Sequence, residues 1–166
     1  MEEMRMNQSF EAQDLPMRWH KFMIYFLLWF GAVIGFVVGF PLLIDMMLYW
    51  QYVPLYSAFP ALRYLNIALA VCIIVLAAYQ IYVRFQLARL RVGATEKLFT
   101  FYKVGIALSV GYMVLMIAII MINTNVSFSA ILGEFFWQIL RDVVPSLIMF
   151  FCNKAYYNKR AHLFVN

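Results

Sequence analysis

Residues Phe22 to Ile44 form a run of 23 without a single charge. Coiled as an α-helix, such a run is about 35 Å long. That is enough to cross the ~30 Å hydrocarbon core of a bilayer. The apolar core of a secretory leader is only about 7–15 residues, so the run reads as a retained span over 21–44. Composition agrees. The 166 residues are 66% hydrophobic and 13% charged, with a mean hydropathy of +0.80. A water-soluble domain this small could not bury so much apolar surface.

Two more spans follow at about 64–83 and 104–123, and a fourth at about 131–153. The fourth is weaker, because it contains Glu134, Gln138, Arg141, Asp142 and Pro145. Apolar residues nevertheless recur along 128–143 at helical spacing. One reading is a single long helix with a polar stripe, favoured because Tyr156 and Tyr157 extend its inner end. The other is an interfacial helix over 128–141 that turns at Asp142–Pro145 into a short span. The expected fold is all-α, a single membrane domain over 1–166 built as an up-down-up-down four-helix bundle. Residues 1–16 read as a polar tail. Residues 45–63, punctuated by Pro54 and Pro60, read as an outer connection lying along the interface. Residues 124–130 read as a short outer turn, in which Asn125-Val-Ser127 matches a glycosylation triplet.

Orientation comes from the placement of charge. Eleven of the thirteen lysines and arginines fall on one side of these spans; only Arg63 and Arg141 lie toward the other. The positive-inside rule then puts the basic 84–103 segment and both termini in the cytoplasm. Arg84, Arg89, Arg91, Lys159 and Arg160 are candidates for anionic lipid headgroups. Nucleic-acid binding is not indicated, because the basic residues flank apolar spans.

Gly31, Gly35 and Gly39 stand four apart on the first span, a doubled GxxxG pattern that lets helix backbones approach closely. The partner is a helix of the same chain or a second copy. Gly105 and Ser109 form a similar strip on the third span and offer a partner face. Asn66, Ala70, Ala77, Gln80 and Arg84 share a face of the second span and should point inward. On the fourth, Glu134, Gln138, Arg141, Asp142, Ser146 and Asn153 must face protein or water and should pair, since a charge at the bilayer centre costs about 3 kcal/mol. Neighbours on a helix diverge by about 100°, so Glu134 or Asp45 is the expected partner of Arg141 rather than Asp142. The bland reading of this set is a structural ion pair, and the functional one is a solute path.

No nucleophile–base pair, HExxH, GxSxG or phosphate-cradling loop occurs, so no catalytic residue, metal or cofactor is expected. His20 and His162 lie far apart in sequence without an acidic cluster. Cys72 and Cys152 fall near opposite membrane faces, too far apart for a disulfide, and are expected as free thiols.

Three stretches carry a family likeness: Met17-Arg-Trp19-His-Lys21-Phe-Met-Ile-Tyr25-Phe, Arg84-Phe-Gln86-Leu-Ala88, and Asn153 through Phe164 with Tyr156, Tyr157, Lys159, Arg160 and His162. In order and spacing the chain resembles, over about 17–166, a group of small four-span bacterial membrane proteins without assigned activity, some headed by a zinc ribbon. It lacks any N-terminal cysteine cluster, and its charges within the last span are unusual for the group. The resemblance implies a bacterial plasma membrane and supplies no activity. The expected function is that of a non-enzymatic membrane protein acting by helix association with itself or with another membrane protein. The alternative is an oligomeric channel or small transporter using the polar faces of spans two and four.

Overall fold

The computed structural model describes residues 17–124 and 128–164, with backbone only for 128–132, 134 and 135. The tail 1–16, the triplet 125–127 and the Glu134 side chain lie outside the described residues. Helices α1 (Arg18–Tyr52), α2 (Pro54–Ala58), α3 (Pro60–Ala88), α4 (Ala94–Asn123) and α5 (Phe128–Asn158) make up the chain, with a closing turn at Ala161–Leu163. No strand occurs among the described residues. Helices α1, α3 and α4 are long and apolar enough to cross a membrane.

Two expected loops are mostly helix. Residues Asp45–Tyr52 continue α1 through a π turn, Asp45–Tyr49, and a final 3-10 turn, Trp50–Tyr52. One charge does not end a helix whose backbone has no better partner. Pro54 and Pro60 start α2 and α3 rather than interrupting a loop, since proline suits the first helical turn. The basic 84–103 segment is likewise shorter as a loop. Helix α3 runs to Ala88, and α4 starts at Ala94 after a five-residue turn. Gly93 closes that turn at φ 75°, a left-handed conformation open to glycine. Helix α5 continues through Asp142–Pro145 with Pro145 inside it, so the single-helix reading holds for the backbone.

The helices pack in chain order, α1 on α3, α3 on α4 and α4 on α5. The main buried cluster lies at the end carrying both described termini and includes Met23, Leu28, Val83, Leu87, Leu98 and Tyr157. Most other large apolar side chains face outward, Phe26, Val37 and Ile122 among them. In water so continuous an apolar surface would drive aggregation. In hydrocarbon it is solvated.

Candidate functional site

The glycine stripe of α1 is a seam within the chain. A Cβ at Gly35 would stand 2.8 Å from Ala77 Cβ, and one at Gly39 would stand 2.7 Å from Ile74 Cγ1. One at Gly31 would collide with the Gln80 amide nitrogen. On α3, Ala70, Ala77 and Gln80 are buried against this strip. Gly105 belongs to no such seam: nothing lies within 4 Å of a Cβ built there. The α4 strip Gly105/Ser109 is therefore not the partner of the α1 stripe. Both residues line a cavity instead.

Each end of the α1–α3 seam carries an arginine of α3 turned onto α1. Arg84 Nε donates to the Ile24 carbonyl at 3.1 Å, and Arg63 Nε donates to the Met46 carbonyl at 3.0 Å. Both acceptors lie in π turns, Met23–Leu27 and Asp45–Tyr49, where the widened helix shifts carbonyls off the regular ladder. The guanidinium of Arg63 lies 4.3 Å from the Trp50 ring centroid, and that of Arg84 lies 5.1 Å from the Trp29 ring. Arg84 thus also serves α1. The two arginines are 21 positions apart, about 31 Å along a helix, which matches the ~30 Å hydrocarbon thickness.

The stretches 17–26, 84–88 and 153–164 meet at the end holding both described termini. Asn153, fully buried, accepts from Trp19 Nε1 at 3.0 Å and donates to the Tyr102 hydroxyl at 3.2 Å and the Met149 carbonyl at 2.8 Å. One amide thereby joins α1, α4 and α5. Beside it, His20 Nδ1 pairs with the Tyr157 hydroxyl at 3.1 Å, while the His20 backbone N–H donates to the Tyr156 hydroxyl at 3.3 Å. Phe164 packs edge-on against both His20 and Tyr157. The Tyr157 side chain is almost fully enclosed. Tyr157 is therefore an interior knot residue rather than a headgroup anchor. Arg160 is also partly spent: its guanidinium lies 3.9 Å over the Tyr156 ring and donates to the Tyr156 carbonyl. Arg89, Arg91 and Lys159 are exposed and remain available to lipid phosphate.

Away from this knot, a groove opens between α1 and α5, floored by α3 and α4. One cavity, about 380 Å³, lies between Leu27, Phe30 and Gly31 of α1 and Pro145, Ser146 and Met149 of α5. Gln80 forms part of its floor and of a neighbouring 210 Å³ cavity reaching Gly35 and Gly105. A third, about 330 Å³, continues along α4 and α5, where Ser109, Tyr112, Gln138, Asp142 and Ser146 supply its polar wall. Gln80 of α3 and polar residues of α5 thus meet in one groove.

Asn66 lies at its far end, accepting from Tyr112 at 2.9 Å and donating to Tyr56 at 3.0 Å. The ion pair there differs from expectation. Arg141 Nε, on the outer side of α5, meets Asp142 at 2.9 Å, and Asp142 itself borders the third cavity; Asp45 is exposed and makes no ion pair among the described residues. An arginine stem is long enough to fold back across the ~100° between neighbours. Val143 packs on Met113, and the adjacent Tyr112 bonds Asn66, three residues from Arg63. The charges therefore stand toward the Arg63 end of the bundle.

Cys72 and Cys152 are free thiols. Among the described residues no cluster of metal-ligating side chains occurs. The sequence reading put Asn153 on the inward polar stripe but missed its partners Trp19 and Tyr102. The chain matches no protein-family model, no curated protein and no solved structure.

Proposed function

We propose that this is a non-enzymatic, four-span protein of a bacterial plasma membrane, with both termini cytoplasmic, that binds a membrane component in the groove between α1 and α5. Orientation rests on the one-sided lysines and arginines. The fourth crossing rests on α5 packing along α4. The observation that carries the binding role is the convergence of Gln80, Ser109, Ser146 and Asp142 on adjoining cavities that open laterally. Association through the glycine stripe is disfavoured, because α3 already fills it. A transport role would use the same groove, since Gln80 of α3 and polar residues of α5 line it.

Native mass spectrometry of protein purified in mild detergent tests the reading. Wild type should retain a bound small molecule. Gly105→Leu, which projects into the open cavity, should lose it while the fold persists. Bare protein in both cases would contradict the proposal.

A further inference from the structure

The groove contains a polar group that the protein itself does not satisfy. Gln80 is 7% exposed, and among the described residues no hydrogen bond reaches its side-chain amide. Its neighbours on α3 are apolar, and Gly31 provides the room in which the amide sits. A carboxamide that borders hydrocarbon without a partner is unfavourable. Such a group persists where something else supplies the missing bond. Gln80 lines both cavities that flank it, so the amide faces space a ligand can enter.

The walls restrict what that ligand is. No charged side chain lines either cavity around Gln80, so an ionic headgroup would be desolvated there without a counter-charge. Aromatic rings come from two helices, Phe30 of α1 and Phe101 and Tyr102 of α4, and such rings favour a flat partner. The opening between Leu27, Phe30 and Gly31 on one side and Pro145, Ser146 and Met149 on the other leads sideways, out between α1 and α5. Glycines at 31, 35 and 105 keep the floor shallow. A cavity of about 380 Å³ falls in the usual range for a small-molecule site, roughly 300–1,000 Å³.

We infer that the groove binds an uncharged lipid with a flat, carbonyl-bearing ring, the chemistry of an isoprenoid quinone, whose carbonyl oxygen accepts from the Gln80 amide while its tail leaves between α1 and α5. The inference rests on the groove being a binding site and adds the class of occupant. It invokes binding only, with no electron transfer.

The test uses full-length protein in dodecyl maltoside, a detergent without carbonyl groups, with decylubiquinone as probe and dioleoylglycerol as the non-planar carbonyl control. Native mass spectrometry gives stoichiometry, and melting temperature against ligand concentration gives affinity. One decylubiquinone should bind per chain, more tightly than dioleoylglycerol. Gln80→Leu should weaken it by about tenfold, the effect of one lost hydrogen bond. Gly105→Phe should abolish binding. Melting of each unliganded variant shows that the fold is intact, and Gln80→Asn serves as a second variant if Gln80→Leu fails to fold. Equal decylubiquinone binding by wild type and the folded Gln80 variant would overturn the inference. So would preference for dioleoylglycerol. If neither probe binds while wild type still carries a component that Gly105→Phe loses, the quinone inference fails and the groove reading stands. If wild type carries nothing, both fail.

Discussion

Two small-residue strips with the same four-residue spacing have opposite fates in this molecule. Along the α1–α3 seam, Gly31, Gly35 and Gly39 have a neighbouring side chain within a methyl group's reach. Along α4, Gly105 has open space around it and lines the groove. Spacing marks where a helix is narrow. Whether the narrowness admits another helix or a ligand depends on what stands opposite. Here the seam is closed by Ala70, Ala77 and an arginine at each end. The α4 strip faces α5 across a cavity that protein atoms do not fill.

This contrast can be broken by substitution, and the effects should fall in a definite order. Gly35→Leu should be the most damaging, because several carbon atoms must enter a space where even a Cβ meets Ala77 at 2.8 Å. Overpacking of that kind costs about 3 kcal/mol, a fall of about 6–12 °C in the melting temperature of a chain this long. If the stripe were instead a dimer face, Gly35→Leu would shift the assembly mass in detergent and spare monomer stability. Asn153→Leu comes next. It strips Trp19 Nε1 and the Tyr102 hydroxyl of a shared partner, at about 2 kcal/mol. Proteolysis near Phe164 should become faster as α5 loosens from α1. Gly93→Ala should cost about 1 kcal/mol through left-handed strain alone, since nothing crowds that position. Gly105→Leu should change the stability of the empty protein least, by about 0.5 kcal/mol or less, while removing whatever the groove binds. Thermal denaturation in one detergent ranks all four.

How much of this was legible depends on the range of the interaction. The long helices follow from charge-free runs, and the inward face of α3 follows from helical spacing. Termination was harder to read. Asp45 looks like the end of a span, yet α1 continues through a π turn whose Met46 carbonyl is taken by Arg63, 17 positions away. The Arg141 pairing was misjudged because divergence of Cβ vectors says little about a guanidinium at the end of a long stem. The knot was least legible. Trp19 and Asn153 are 134 positions apart, and nothing local distinguishes a tyrosine that anchors at a headgroup from one that is buried beside a histidine. The groove was half legible: Gln80 and Ser146 belong to polar stripes visible in sequence, but their meeting place, and the vacancy between them, depend on how α5 leans away from α1.

The central claim is that protein fills the seam and leaves the groove open, and site-directed spin labelling compares the two directly. With Cys72 and Cys152 replaced by alanine, a nitroxide is placed on Gly35→Cys or on Gly105→Cys. The account predicts a mobile, oxygen-accessible label at 105, and at 35 either an immobilised label or a cysteine that cannot be labelled without unfolding. Equal immobilisation at both positions would contradict it.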